Sequence, residues 1–148
     1  MSNTEIKKEK NLIRILLVGA GNLGSRYLEG LLKLDAPLEI DIIEPSKKAT
    51  ENCKRLLKNL NLKNKKLNFK NSFSTNKNSY EIALVATTAD VREEVISTIN
   101  NYYSINFCIL EKILTQSINS LEKIKKSVDN FEKTWVNNCM RVMQWHLK

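Results

Sequence analysis

Three glycines in the chain have the spacing of a site that binds phosphate groups. Gly19, Gly21 and Gly24 form the pattern Gly-x-Gly-x-x-Gly and are three of only four glycines in 148 residues. The first would permit a tight turn, the second would let a pyrophosphate approach the backbone, and the third would let a helix pack closely on a strand. The N–H groups and positive dipole end of that helix would then hold the phosphate charge.

The segments on either side of the glycines are those that such a site needs. Residues 13–18 form an apolar run that is typical of a strand buried on both faces. After the glycines, apolar side chains recur at helical spacing, at Leu23, Tyr27, Leu28, Leu31 and Leu32. Strand, glycine turn and helix in this order predict a dinucleotide-binding site that includes Asn22 and Leu23. An ordinary turn is the alternative interpretation.

A carboxylate follows the second predicted strand, residues 38–43. Glu44 lies 20 residues beyond Gly24, where a dinucleotide-binding fold places an acid that accepts hydrogen bonds from the adenosine ribose. Its charge would repel a 2′-phosphate, which favours NAD. Ser46, Lys47 and Lys48 keep NADP open, because a serine and lysines could receive that phosphate. A solvated glutamate at a strand end is the simpler alternative.

The fourth predicted strand, residues 82–86, ends at two threonines. Thr87 and Thr88 would lie at the carboxyl end of a central strand, where ligands bind in doubly wound sheets. They are candidates for contact with a cofactor, and a plain entry into the next helix is the alternative.

Asp90 and Glu93, three residues apart, predict a helix cap with its reciprocal partner. The fifth strand, residues 106–110, ends at Glu111 and Lys112.

The remaining pattern completes an alternation of strands and helices. It predicts a helix that Ser46 caps, a half-exposed edge strand at 67–70, a loop at 73–79, a helix with Ile118, Leu121, Ile124, Val128 and Phe131 on its core face, and a sixth strand at 134–140. The predicted fold is α/β, a doubly wound, mainly parallel six-stranded Rossmann sheet with strand order 3-2-1-4-5-6. We predict a Rossmann domain over 12–141, a flexible tail over 1–11, and over 142–148 a terminal helix or the start of a truncated second domain.

Composition argues against several other classes of protein. With 42% hydrophobic residues in 148, the chain is typical of one globular domain. Residues 1–11 are polar and do not resemble a signal peptide, and no stretch has the roughly 20 apolar residues of a membrane span. Cys53, Cys108 and Cys139 lack metal-binding spacing, and reduced thiols suit a cytoplasmic protein. We expect a cytoplasmic location, no metal and no membrane partner.

The formal net charge of +8 raises the question of nucleic-acid binding. Much of this charge lies between residues 54 and 66, among asparagines and leucines. No aromatic stacking pattern and no known nucleic-acid-binding motif accompanies it. We interpret the segment as a solvated face and do not expect a nucleic-acid partner.

Taken together, the glycine turn, Glu44, the strand end at Ala86 and Thr87, and the pair Glu111 and Lys112 resemble the Gfo/Idh/MocA oxidoreductases. In that family a Glu-Lys-Pro motif closes the fifth strand, and its lysine lies by the nicotinamide and the substrate. The resemblance therefore implies a catalytic role for Lys112 and a place beside the cofactor for Glu111. It covers residues 12–145.

Asn138 and Arg141 also resemble residues at the family's crossing to its second domain. Two departures from the family are visible. Its proline is replaced by Ile113, so we expect a trans peptide there. Its large sheet domain, with a catalytic histidine, is absent from this sequence, and the only histidine, His146, matches no family motif.

The resemblance implies hydride transfer to or from a sugar-like or small hydroxyl-bearing substrate. NAD is the expected cofactor, with NADP as the alternative. Lys112 would polarise the reacting oxygen or relay its proton, helped by burial. We expect the lone chain to be incomplete as an enzyme. The alternative function is a non-catalytic regulatory module that senses NAD(H), and the oligomeric state, a homo-oligomer included, stays open.

Overall fold

The computed structural model describes residues 11–138 as one sheet with helices on both faces. The strands of the described residues are β1 (Ile13–Val18), β2 (Leu38–Ile43), β3 (Lys65–Lys70), β4 (Asn78–Val85), β5 (Tyr103–Glu111) and β6 (Lys133–Asn137). The helices are α1 (Asn22–Leu32), α2 (Lys47–Leu57), α3 (Arg92–Tyr102) and α4 (Ile118–Val128). All neighbouring strands are parallel and their order is β3-β2-β1-β4-β5-β6, which confirms the predicted fold class.

The register brings the ends of the central strands to one edge of the sheet. Val18 at the end of β1 pairs with Ile43 of β2 and with Val85 of β4, and Val85 in turn pairs with Leu110 of β5. The glycine turn, Glu44, the two threonines and Glu111 all follow these positions. They therefore share the carboxyl edge, because parallel strands end on the same side.

Two apolar layers hold the sheet between its helices. Leu17 belongs to a buried cluster that includes Leu28 of α1 and Cys53 of α2. Its neighbour Leu16 belongs to the other cluster, which includes Ile96 of α3. Successive side chains of a strand point to opposite faces, so a strand between two helical layers is apolar at most positions. This requirement accounts for the apolar run that precedes the glycines.

The crossover from β3 to β4 has no helix, as the polar segment at 73–79 predicts. A polar network lies on the sheet near this crossover. Asp41 is only 4% exposed, and its carboxylate accepts hydrogen bonds from Asn68 (2.8 Å), Lys70 (2.7 Å) and the Tyr80 hydroxyl (2.6 Å). Burial opposes its ionisation, but these donors outweigh burial and lower the pKa of Asp41. Three donors therefore surround the buried carboxylate.

Several local predictions are confirmed and several are wrong. Ser46 caps α2 and accepts from the N–H of Ala49 at 3.2 Å, as expected. Asp90 does not cap α3, which has Val91 at its N-cap without a side-chain hydrogen bond. The Asp90 carboxylate accepts from Thr88 instead, which lowers its pKa, and Glu93 pairs with Lys123 of α4 at 2.8 Å. Asp90 thus has a local partner other than the predicted one, and Glu93 has a tertiary partner on α4.

Strand and helix boundaries differ from prediction mainly at their ends. β5 begins at Tyr103 rather than 106, and Ile118 at the start of α4 is 79% exposed instead of facing the core. Periodicity cannot decide which apolar residue at an element's end finds a partner. The end of the predicted sixth strand, Cys139, Arg141 and His146 lie outside the described residues. No helix among residues 11–138 has the length and apolar character needed to cross a membrane.

Candidate dinucleotide-binding site

The three glycines of the turn differ in the atoms that surround them. Gly19 has a φ of +92°, and a side chain there would lie 3.1 Å from the backbone of Ala86. At Gly24 a Cβ would lie 1.8 Å from the carbonyl oxygen of Gly19. At Gly21 a Cβ would meet nothing within 4 Å. The first and third glycines are therefore required by the fold, whereas the second leaves space that a ligand could use.

Helix α1 presents free N–H groups at this turn. Its N-cap is Gly21, which has no side chain to accept from them, and the first turn contains no acidic residue. Asn22 and Leu23 begin the helix, and Leu23 is 44% exposed. An uncapped N-terminus with the positive end of the helix dipole is suited to an anion.

The carboxylate of Glu44 is held against the same turn. One of its oxygens accepts from the N–H of Ala20 and the other from the N–H of Ser46, each at 2.8 Å. A carboxylate has about four acceptor positions, so two remain for other donors. Glu44 is thus fixed in position and can still accept hydrogen bonds from a ligand.

A cavity of about 580 Å³ joins these parts of the carboxyl edge. Five of the predicted site residues line it: Gly19, Gly21, Glu44, Thr87 and Thr88. The Thr87 hydroxyl oxygen is buried and has no hydrogen-bond partner within the described part of the chain. Most buried polar atoms in proteins are paired, so this oxygen is an exception.

The apolar wall of the cavity was missed from the sequence. It includes Ile43, Phe73, Val91 and Val95. Val91, at the N-cap of α3, is 41% exposed and borders this space. Phe73 could have been recognised as a site residue because it is an aromatic residue in an otherwise polar loop. A largely apolar cleft with a few polar groups is the usual form of a small-molecule site.

The other predicted site residues do not line this cavity. Asn22, Leu23 and Gly24 lie just beyond it in α1, whereas Glu111 and Lys112 lie at the end of β5. A second cavity, of about 660 Å³, adjoins the first at Glu44 and is lined in part by Lys47, Lys54 and Lys70. Among the residues suggested for a 2′-phosphate, Lys47 lines it, while Ser46 and Lys48 do not.

Glu111 belongs to a buried cluster of three elements. Its carboxylate accepts from the Tyr27 hydroxyl of α1 and, at 2.7 Å, from the Asn137 amide of β6. Glu111 is 5% exposed. Burial and the neighbouring carboxylate raise the pKa of Tyr27, so this hydroxyl stays protonated and donates. Sequence patterns gave no sign of this cluster, since its members come from positions far apart in the chain.

Lys112 follows Glu111 and is exposed, so the expected burial of this side chain is wrong. The peptide bond between Lys112 and Ile113 is cis, and the expected trans bond is therefore also wrong. The carbonyls of Glu111 and Ile113 both accept from the guanidinium of Arg92, a residue that no motif singled out.

Two other kinds of chemistry receive no support from the described residues. In residues 11–138 there is no group of three or more potential metal ligands. Cys53 and Cys108 are free and buried, and burial raises the pKa of the Cys108 thiol to about 12. A protonated thiol in the core is a packing group rather than a nucleophile.

No model of a known protein family matches the chain, and a search of curated proteins found no match. Solved structures do match. An oxidoreductase from Agrobacterium radiobacter in complex with NAD+, L-tartaric acid and magnesium is 11% identical with a TM-score of 0.66, over 87% of this chain and 36% of its own. The fold is a Rossmann fold. At such low identity the match shows the fold alone.

Two further matches extend this result. Myo-inositol 2-dehydrogenase from Lactobacillus plantarum is 16% identical with a TM-score of 0.64, over 90% of this chain and 38% of its own. The super-repressor mutant of Gal80p from Saccharomyces cerevisiae is 19% identical with a TM-score of 0.58, over 80% of this chain and 32% of its own. The chain thus spans about a third of the length of these structures.

Proposed function

We propose that the chain is the NAD-binding domain of an oxidoreductase of the Gfo/Idh/MocA type. The observation that carries this proposal is the single cavity that gathers Gly19, Gly21, Glu44 and Thr87. These residues come from three separate segments of the sequence, and each has the chemistry that a dinucleotide needs at its position. The open space beside Gly21 is consistent with a ligand there.

Each part of the site would hold a different part of the cofactor. The N–H groups of Asn22 and Leu23, with the helix dipole, would hold the pyrophosphate near Gly21, to which Gly24 brings the helix close. Glu44 would accept hydrogen bonds from the adenosine ribose through its free acceptor positions. Thr87 and Thr88 would contribute hydroxyl groups along the cavity wall.

The same edge of the sheet carries the residues proposed for chemistry. When bound, NAD accepts or donates a hydride. Lys112, at the end of β5, would hold or move the proton of the reacting oxygen, as the resemblance implies. Glu111, which the resemblance places beside the cofactor, would fix the strand end through Tyr27 and Asn137.

The substrate class is inferred from the matched structures. One of them was solved with L-tartaric acid and another is a myo-inositol dehydrogenase. Both compounds are small and carry several hydroxyl groups, which supports a sugar-like or small hydroxyl-bearing substrate for this chain.

A regulatory module that senses NAD(H) is the second candidate. Gal80p, whose super-repressor mutant is among the matches, shows that a protein described as a repressor has this fold. The exposure of Lys112 also favours this alternative, because an exposed amine is poorly placed to act in a water-free site. Binding of NAD without turnover would agree with it.

Replacing Glu44 with serine tests both the site and the choice of cofactor. We expect wild type to prefer NAD and the Glu44→Ser variant to lose or reverse that preference, because the carboxylate no longer repels a 2′-phosphate and Lys47 is close by. Calorimetric titration with NAD and NADP measures the ratio of dissociation constants. Glu122→Ser, an exposed change of equal charge on α4, should leave this ratio unchanged. A wild type that binds NADP better would contradict the assigned role of Glu44.

A second experiment tests whether this chain alone holds a working catalytic site. We expect this chain to bind NAD yet to oxidise polyols negligibly, since nothing in residues 11–138 shields Lys112 from water and desolvation and orientation can be worth several kcal/mol of barrier. The measurement is nicotinamide absorbance with myo-inositol and tartrate as probes. Sustained turnover that disappears in Lys112→Ala would show that the chain holds a working catalytic site.

A further inference from the structure

Arg92 lies beneath the carboxyl edge of the sheet and is the largest fully buried side chain in the described chain, with 1% exposure. It is the first residue of α3, and its guanidinium donates to backbone carbonyls of two separate loops. At the first loop it reaches Glu111 (2.6 Å), the last residue of β5, and then Ile113 and Leu114 (3.0 Å). At the other loop it reaches Thr87.

These hydrogen bonds hold the backbone on both sides of Lys112, and one of them ends at a residue that lines the cavity. The carbonyls of Glu111 and Ile113, directly before and after Lys112, both accept from the Nη1 atom. The Nη2 atom donates to the carbonyl of Thr87, a residue that lines the cavity. One rigid planar group therefore sets the distance between the cavity wall and the loop that carries Lys112. A lysine could not do this, because its ammonium is a single point of donation.

The free energy that it costs to bury the Arg92 guanidinium indicates that its hydrogen bonds have a role that an apolar side chain could not fill. Taking a guanidinium out of water is unfavourable, and burial accordingly lowers the pKa of Arg92. An apolar side chain could fill the same volume without this penalty. What only the arginine supplies is the set of hydrogen bonds to both loops. On the far side of β5, Tyr27 and Asn137 hold the Glu111 carboxylate, so the strand end is fixed from two directions.

We propose that Arg92 is a positioning residue. It connects the loop after β4, which contains Thr87 (the Thr87 loop), to the loop after β5, which contains Lys112 (the Lys112 loop), so that the two loops move together. This inference rests on the proposed function, because it takes the cavity at Thr87 as the adenosine side of a cofactor site. Its consequence is that occupation of the cavity orders the Lys112 loop even when the ligand has no group that extends towards Lys112.

Hydrogen exchange on the wild-type protein with ADP tests this consequence, since ADP fills the adenosine side and lacks the nicotinamide. At ADP about ten times its dissociation constant, we expect amides at 87–89 and at 112–115 to exchange about tenfold more slowly. The turn at 61–64 precedes β3 at the opposite edge and should not change. Slowing at 87–89 alone would overturn the inference, whereas failure of both ADP and NAD to bind would overturn the proposed function with it.

The Arg92→Lys variant assigns the effect to the guanidinium. In this variant ADP should still slow exchange at 87–89, but the response at 112–115 should disappear because the lysine cannot bridge both loops. Arg26→Lys is the matched control, since Arg26 is exposed on α1 and pairs with Glu29 at 2.6 Å. Equal responses at 112–115 in the Arg92 and Arg26 variants would overturn the proposal. If Arg92→Lys does not fold, the wild-type experiment decides alone.

Discussion

The Gly21→Val variant should fold normally and bind NAD about tenfold or more weakly than wild type, because a branched side chain would occupy the place where the pyrophosphate approaches the backbone. Gly21 has a φ of −64°, which any residue adopts, and a Cβ there meets no atom within 4 Å. The protein can accept the valine, and only the ligand loses space. Calorimetric titration measures the change, and thermal unfolding verifies the fold.

Gly30→Val is the matched control for this experiment. Gly30 lies on the same helix, and a Cβ at this position also meets nothing within 4 Å, but Gly30 does not line the cavity. Its valine variant should bind NAD as wild type does. A folded Gly21→Val variant with unchanged affinity would show that the cofactor does not pass this glycine, and the proposed site would be wrong.

The Gly24→Ala variant should lose several kcal/mol of stability, at or above the roughly 1–3 kcal/mol typical of overpacking. A Cβ there would lie 1.8 Å from the carbonyl oxygen and 2.8 Å from the carbonyl carbon of Gly19. Both are backbone atoms of the turn, so no side chain can move aside. The helix would have to leave the sheet, and the turn would open. Chemical denaturation measures the loss.

The same substitution at Gly30 should change the free energy of unfolding in the opposite direction. Alanine is favoured over glycine inside a helix by up to about 1 kcal/mol, and the side chain has open space. Gly30→Ala should therefore raise the free energy of unfolding slightly. A Gly24→Ala variant as stable as Gly30→Ala would contradict the close contact between α1 and the turn.

The sequence alone determined the architecture and the position of the proposed site. Residues 13–18 had to be a doubly buried strand because all of them but Arg14 are apolar, and Gly24 had to be the place where helix and strand come close. The parallel order then brought Glu44 and Thr87 to one edge, as the structure has them. These features are readable because each follows from spacing along one segment, together with the regular rules of parallel sheets.

Only the tertiary structure decided how the strand ends are held. Tyr27, Glu111 and Asn137 meet although up to 110 positions separate them, and Arg92 bonds to two loops that follow different strands. Local propensity predicted that Glu93 would complete a cap with Asp90, but Glu93 pairs instead with Lys123 of α4. Such contacts depend on which side chains the assembled sheet brings within about 3 Å, the reach of a hydrogen bond. No periodicity along the chain encodes that distance. The hydrogen bonds from Arg92 to the carbonyls before and after Lys112 are therefore visible only in the tertiary structure.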